Sequence, residues 1–246
     1  MQAVILAGGF GTRLYPLTKD VPKPMVKIIG KPILEFIVMR LKECGITEMM
    51  FLVKHMAEQI SDYFGTGEKW GVKIKYVIED EPLGTAGAVK NAEKFITEDF
   101  LVVSGDVFST IDYDPIIACH QKNKSALGTI VLTRVEDPSK FGLVEINEQN
   151  QVTHFIEKPK DIEPDANGGA STFLINTGIY VFKKEVLNYI PMGKYDFARD
   201  LFPKVIDKLY GEVTASYWND IGTLDAYYKT NLRVIESRDK FEFLFE

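Results

Sequence analysis

Apolar residues along this chain recur with two different periods that alternate, and the alternation predicts the architecture. Ala3-Val4-Ile5-Leu6 is a short β-branched run that reads as a buried strand. From Lys31 to Cys44 the apolar positions are Ile33, Leu34, Phe36, Ile37 and Leu41, with Gly45 beyond. That spacing predicts an amphipathic helix with a glycine stop. Glu48–Val53 reads as a strand, Met56–Phe64 as a helix and Val72–Ile78 as an alternating strand. Gly84–Phe95 is helical in pattern, and Phe100–Val103 is a short, fully apolar strand. Strands alternating with helices imply a parallel sheet with helices on both faces, whose ligands sit beyond the carboxyl ends of the strands.

The second half has a different rhythm. Leu127–Thr133, Gly142–Ile146, Val152–Ile156 and Phe173–Phe182 are strand-like and closely spaced. Helices are expected again over Lys184–Tyr189, Phe197–Tyr210 and Leu224–Ser237, and Asp161–Ala170 is polar enough to read as an exposed loop. The prediction is an α/β chain in which a mixed sheet extends the first. No internal repeat or long linker divides it.

Between the first strand and the first helix no period holds. Leu6-Ala7-Gly8-Gly9-Phe10-Gly11-Thr12-Arg13 puts three glycines within four residues directly after a strand. Glycine lets backbone N–H groups turn inward and approach a ligand. Arg13 and Lys23, the latter within Pro22-Lys23-Pro24, bring two cations to the same strand end, so donors and charge together suit a polyphosphate. The dinucleotide fingerprint does not fit, because prolines rather than a helix follow the third glycine, and the Gly-Lys-Ser/Thr phosphate loop does not fit either. The predicted strand-end rule puts the Gly8 loop and the Ser104-Gly105-Asp106 loop on one edge. A carboxylate at a strand end beside a phosphate loop suits Mg²⁺, which takes few protein carboxylates and completes its shell with phosphates and water. A turn aspartate capping the next segment is the plainer reading of Asp106.

Composition narrows the picture. Hydrophobic content of 46% is ordinary for a globular protein, and a net charge of −6 argues against a nucleic-acid binder. A cationic pocket within an acidic chain favours a small anion held locally. Cys44 and Cys119 sit in apolar stretches far apart, as buried free thiols in a reducing compartment would. His55, His120 and His154 form no metal spacing. No signal peptide and no apolar run of about 18 residues is present, so a cytosolic protein with no membrane partner is expected.

Gly8-Gly9-Phe10-Gly11-Thr12-Arg13-Leu14-Tyr15-Pro16-Leu17-Thr18 followed by Pro22-Lys23-Pro24 resembles the signature of the sugar-1-phosphate nucleotidylyltransferases, or NDP-sugar pyrophosphorylases. Later motifs extend the resemblance over nearly the whole chain. It implies the Rossmann-like nucleotide-diphospho-sugar transferase fold, with a mixed, mostly parallel central sheet flanked by helices. It also implies one nucleotidyltransferase domain over 1–246. Residues 1–110 would bind nucleotide, 111–223 the sugar phosphate, and 224–246 would form a terminal helix, with no room for the C-terminal β-helix domain that many relatives carry.

The resemblance also assigns residues. Arg13, Lys23 and Asp106 would be catalytic. Leu6, Ala7, Gly8, Gly9, Gly11, Thr12, Glu79, Glu81 and Gly84 would line the nucleotide. Asp220, in Trp218-Asn219-Asp220-Ile221-Gly222-Thr223, would join Asp106 on Mg²⁺. In Glu157-Lys158-Pro159, Glu157 would take sugar hydroxyls and Lys158 the sugar phosphate, an exposed ion pair being the plainer alternative. Gly142, next to Phe141, and Asn176, in Asn176-Thr177-Gly178, match the remaining sugar-pocket segments. The implied partners are a nucleoside triphosphate and a sugar 1-phosphate, with a homo-oligomer left open.

The implied reaction is displacement at the α-phosphorus, and its nucleophile needs no base: a phosphate monoester is mostly dianionic near neutral pH, with a second pKa of about 6. The run Glu79-Asp80-Glu81 beside the base loop points to guanine, whose adjacent N–H donors match an acceptor-only carboxylate. The stretches around Leu83-Gly84-Thr85-Ala86 and Asn176–Phe182 are similar to mannose-1-phosphate guanylyltransferases. A glucose-1-phosphate uridylyl- or thymidylyltransferase is the nearest alternative, and a catalytically silent sugar-nucleotide sensor is another. A glycosyltransferase would carry Asp-x-Asp after the central strand; Asp112-Tyr113-Asp114 has the letters but reads better as a helix start.

Overall fold

The computed structural model describes residues 1–160, 172–238 and 241. The expected loop at Asp161–Ala170 lies outside the described residues. The strands build a mixed, mostly parallel sheet flanked by helices, and the chain divides into two compact units, each assembled from discontinuous segments.

One unit comprises Gln2–Pro82, Val103–Thr110 and Tyr217–Glu246. Its strands Gln2–Leu6, Glu48–Val53 and Lys73–Ile78 pair in parallel, Ala3 opposite Met49 and Met49 opposite Ile74. The middle strand is buried at every position after Glu48, as its unbroken Met-Met-Phe-Leu-Val run requires. The strand Lys73–Ile78 alternates instead, with Lys73 and Lys75 exposed, a charge pattern that discourages edge-to-edge pairing. Helix Ile33–Glu43 buries Ile33, Leu34, Phe36, Ile37, Val38 and Leu41. Each such side chain contributes roughly 1.5–3 kcal/mol, so packing of this face, more than intrinsic propensity, holds the helix. It stops at Gly45, whose φ of 74° lets Gly45 N donate to Lys42 O and Ile46 N to Leu41 O, each at 2.9 Å. A short antiparallel ribbon pairs Val107–Ser109 with Trp218–Asp220, Asp220 facing Val107. Helix Leu224–Glu236 follows, its first turn capped by Thr223 Oγ1, which accepts from Ala226 N at 3.2 Å. Phe241 packs on Phe108 and Tyr217.

The other unit comprises Leu83–Val102 and Ile111–Ser216, together with Met1. Strand Phe173–Phe182 runs antiparallel to both Gly128–Val135 and Gly142–Ile146. Val152–Glu157 pairs antiparallel with Gly142–Ile146, and Leu209–Val213 runs parallel to Gly128–Val135. Tyr180, Phe182, Phe197 and Phe202 stack into one aromatic core.

Two expectations change here. The single helix expected over Phe197–Tyr210 is instead a wide turn at Phe197–Leu201, one α-turn at Phe202–Val205 and a 3₁₀ turn at Ile206–Lys208. Pro203 has no N–H, so the ladder cannot continue past Phe202. Leu209–Val213 is then a strand, its period hidden by Gly211, where a Cβ would lie 2.6 Å from Leu132 Cδ1. Cys44 and Cys119 are free, as expected, but half-buried rather than buried. Among the described residues, no helix is long and apolar enough to cross a membrane.

Candidate active site

The glycine loop leaves strand Gln2–Leu6 without an intervening turn. Ala7 N donates to Leu52 O at 2.8 Å, and Gly105 N donates to Leu6 O at 2.9 Å. The loop after the first strand and the loop bearing Asp106 therefore start side by side, as the strand-end rule anticipates. Gly11 has a φ of 64° and opens a short turn, Thr12–Leu14. A Cβ on Gly11 would lie 2.9 Å from Lys23 Cβ and 3.0 Å from Thr18 Cγ2. Glycine is thus needed both for its conformation and for the close approach of Lys23. Thr18 fixes the same turn, its Oγ1 donating to Gly11 O at 2.9 Å.

Pro22 and Pro24 flank Lys23 and set it at the start of a second short turn. The Lys23 side chain is only 8% exposed, and its ammonium donates to Asp106 Oδ2 at 2.6 Å and to Asp220 Oδ1 at 3.1 Å. Asp106 is held from its other oxygen by Ser104 Oγ, which donates at 2.8 Å. Asp220 arrives on the ribbon, and Ile221 N donates to Asp106 O at 3.3 Å. Burial alone would push the Asp106 carboxyl up, but the Lys23 ammonium and the Ser104 hydroxyl outweigh it and hold the carboxyl below its usual range. The same balance runs in reverse at Lys23: burial would lower it, yet the two carboxylates raise it, so it stays an ammonium ion.

Arg13 is exposed, and its Nη2 lies 3.2 Å from where a Cβ on Gly222 would stand; the same Cβ would meet Asp220 Oδ2 at 2.9 Å. Gly9, Gly11, Thr12, Arg13, Lys23, Asp106 and Gly222 line one open cavity of about 150 Å³. Leu6, half-buried, ends the strand from which this loop leaves and Ala7, buried, follows it; neither lines the cavity. Beside it, Glu79 Oε1 comes 3.2 Å from where a Cβ on Gly8 would sit. Lys54 fastens this segment, its Nζ donating to Asp80 O at 2.8 Å and Glu79 O at 3.3 Å. Glu81 is exposed on the same stretch.

The sugar-side residues expected from sequence lie in the other unit and form a cluster there. Glu157 pairs with Gly142 across the antiparallel strands, and a Cβ on Gly142 would lie 2.6 Å from Phe155 Cζ and 3.2 Å from Glu157 Oε2. Lys158 has a φ of 50°, and its ammonium stays 3.7 Å from Glu157 Oε1 with the side chain 55% exposed. Asn176 sits at a register shift in its strand, a bulge that re-aims its side chain. Its amide is held at both ends: Nδ2 donates to Tyr180 Oη at 2.9 Å and Oδ1 accepts from Gly178 N at 3.0 Å. Burial raises the Tyr180 phenol above its usual range, with Glu157 and Asp196 adding to the rise and Asn176 opposing it, so this buried hydroxyl keeps its proton. Gly84, with a φ of 72°, packs against protein, since a Cβ there would lie 2.7 Å from Tyr195 O. Thr85 bridges to the same segment, donating to Asp196 Oδ1 at 3.2 Å and accepting from Phe197 N at 2.9 Å.

Sequence reading missed Ser104, Thr18, Tyr180 and Asp196. Ser104 carried a local signal, two residues before an aspartate at a strand end; Asp196 carried none, since its partner Thr85 is 111 residues away. Asp112 caps helix Tyr113–Lys122 by accepting from Asp114 N at 3.1 Å, so the Asp-x-Asp letters are a helix start. His120 is buried with Nδ1 3.0 Å from Thr129 Oγ1, His55 packs on Phe10 and His154 pairs with Glu145.

Residues 2–237 match the model of the nucleotidyl transferase family. The chain is 36% identical to the UTP–glucose-1-phosphate uridylyltransferase of Synechocystis over 97% of its own length and 64% of that protein. It is 37% identical to the mannose-1-phosphate guanylyltransferase of Mycobacterium tuberculosis over 93% of its length and 63% of that protein. It therefore spans a little under two thirds of these curated relatives. Among solved structures, HddC from Yersinia pseudotuberculosis complexed with GMP-PN superposes with a TM-score of 0.79 at 33% identity, over 94% of this chain and 98% of that one. The glycine loop, its two cations and the paired aspartates thus sit in a chain that belongs to the nucleotidyl transferase family.

Proposed function

We propose that the chain transfers a nucleotidyl group from a nucleoside triphosphate to a sugar 1-phosphate, forming an NDP-sugar and pyrophosphate, with GTP and mannose 1-phosphate as the preferred pair. The observation that carries this reading is the convergence of the glycine loop, Arg13, Lys23 and Asp106 on one cavity, with Asp220 on the same ammonium. A phosphate oxygen of the sugar 1-phosphate forms the new bond to the α-phosphorus, and the bond from that phosphorus to the bridging oxygen of pyrophosphate breaks. The attacking phosphate is already anionic, so no general base is required. The obstacle is the meeting of two polyanions. Backbone N–H groups of the glycine loop bind the triphosphate, and the planar fork of Arg13 holds the departing pyrophosphate. Lys23 offsets charge on the triphosphate, and Lys158 takes the phosphate of the sugar 1-phosphate.

Asp106 and Asp220 fit Mg²⁺: both present acceptor-only oxygens to a single cation position, that of Lys23 Nζ, beside a cavity suited to phosphate oxygens. When bound, Mg²⁺ would neutralise phosphate charge and stabilise the pentavalent α-phosphorus. Glu157 and the fixed amide of Asn176 bind sugar hydroxyls. Support for guanine comes from Glu79 beside Gly8, from the relative named as a guanylyltransferase and from the neighbour complexed with GMP-PN. A uridylyltransferase is the second reading, favoured by the Synechocystis relative at similar identity. The proposed setting is a reducing one, the cytosol, where the two free thiols remain unpaired.

The test is pyrophosphate release from GTP, UTP and dTTP, each with mannose 1-phosphate and glucose 1-phosphate. Release is expected only with both substrates present and fastest with GTP and mannose 1-phosphate. Hydrolysis of NDP-sugar without pyrophosphate release overturns the reaction class. Higher kcat/KM with UTP or dTTP overturns the base assignment alone.

A further inference from the structure

Lys23 stands where a metal-binding pair of carboxylates would hold its ion. Its ammonium is 2.6 Å from Asp106 Oδ2 and 3.1 Å from Asp220 Oδ1, on a side chain 8% exposed. Charge-assisted bonds of this length are strong, and removing the half-buried carboxylates from a buried ammonium would leave its charge uncompensated. Two carboxylates with one ammonium leave a single net negative charge. A dication entering alone would compete for oxygens that already accept from the Lys23 ammonium at 2.6 and 3.1 Å, and two cations drawn to the same oxygens repel strongly in a partly desolvated site. The Lys23 stem passes close to Gly11, where an added Cβ would lie 2.9 Å from Lys23 Cβ. The side chain also lines the adjoining cavity with Gly9, Gly11 and Arg13, so the ammonium has that cavity beside it.

We infer that Lys23 is the resident cation of this site: it holds Asp106 and Asp220 together in the free protein and excludes a free divalent ion until a polyphosphate in the glycine loop draws the ammonium away. Metal and nucleotide then enter as one event. The inference rests on the nucleotidyl-transfer reading above and adds an order of binding to it.

Mn²⁺, followed by electron paramagnetic resonance, is the probe, since it takes the same oxygen ligands. Without nucleotide, Lys23→Met is expected to bind Mn²⁺ at least ~10-fold more tightly than wild type, because one positive charge has left the carboxylate pair. Adding Asp106→Asn to that variant should abolish the gain. Equal affinity in wild type and Lys23→Met overturns the inference. A second readout is made on the wild-type protein. The wild-type Lys23 side-chain ammonium resonance, assigned by its loss in Lys23→Arg, should stay in place with millimolar Mg²⁺ alone and move when a non-hydrolysable GTP analogue is added with Mg²⁺. Movement with Mg²⁺ alone also overturns the inference. If neither protein binds Mn²⁺ with or without the analogue, the metal reading of the proposed function fails with the inference; if both bind it equally, the inference fails alone.

Discussion

Arg13 and Lys23 bring equal charge to one cavity from opposite situations, Arg13 exposed at the rim and Lys23 buried against two carboxylates. Both should matter to the transition state more than to the fold. Arg13→Ala and Lys23→Ala are each expected to lower kcat/KM by at least ~10², a loss of about 2.7 kcal/mol of transition-state stabilisation. Steady-state kinetics on variants with wild-type circular dichroism checks this, and near-normal turnover by either contradicts the phosphate role. Glu157 belongs to the sugar side, so Glu157→Gln should raise KM for the sugar phosphate more than for the nucleoside triphosphate. Equal effects on both would place Glu157 elsewhere. Arg13 and Lys23 were legible as candidates because the glycine loop, both cations and the strand end lie close together in sequence. Tyr180 was not: a tyrosine in an apolar strand reads as core, and only the bulge at Asn176 turns its hydroxyl into an amide anchor.

At the scale of elements, short-range signals carried most of the information. The stop at Gly45 is a two-bond motif with Leu41 and Ile46 both buried around it. A Cβ on Gly45 would meet nothing within 4 Å, so the penalty for Gly45→Ala is purely conformational. We expect a loss of roughly 1–2 kcal/mol for the left-handed residue, read as a fall in Tm of about 2–4 °C per kcal/mol, with kcat/KM unchanged. An unaltered melting curve would show that the helix end does not need the left-handed turn. Phe197–Lys208 was illegible for the opposite reason. Its apolar residues keep a helical count, while Pro203 and packing against the aromatic core break the chain into three kinds of turn. Tertiary contact overrode propensity there.

Across the whole molecule, an acidic protein of net charge −6 carries a cavity whose charged lining is mixed. Attraction for an anion at this cavity is therefore local, not a property of the overall field. Activity is expected to vanish in EDTA, to return with added Mg²⁺, and to be lost in Asp106→Asn and Asp220→Asn. Full turnover in metal-free buffer would refute the metal assignment. The sequence separations within the site, 83 residues from Lys23 to Asp106 and 197 from Lys23 to Asp220, have a consequence during synthesis. The ribosome delivers the glycine loop, Lys23 and Asp106 early, and Asp220 reaches them only once Trp218–Asp220 can lie down beside Val107–Ser109. A nascent chain therefore carries a phosphate loop and one aspartate but no matched pair. If the pair holds Mg²⁺ as proposed, chemistry waits until the ribbon closes, and incomplete translation products would stay inert toward the nucleotides around them.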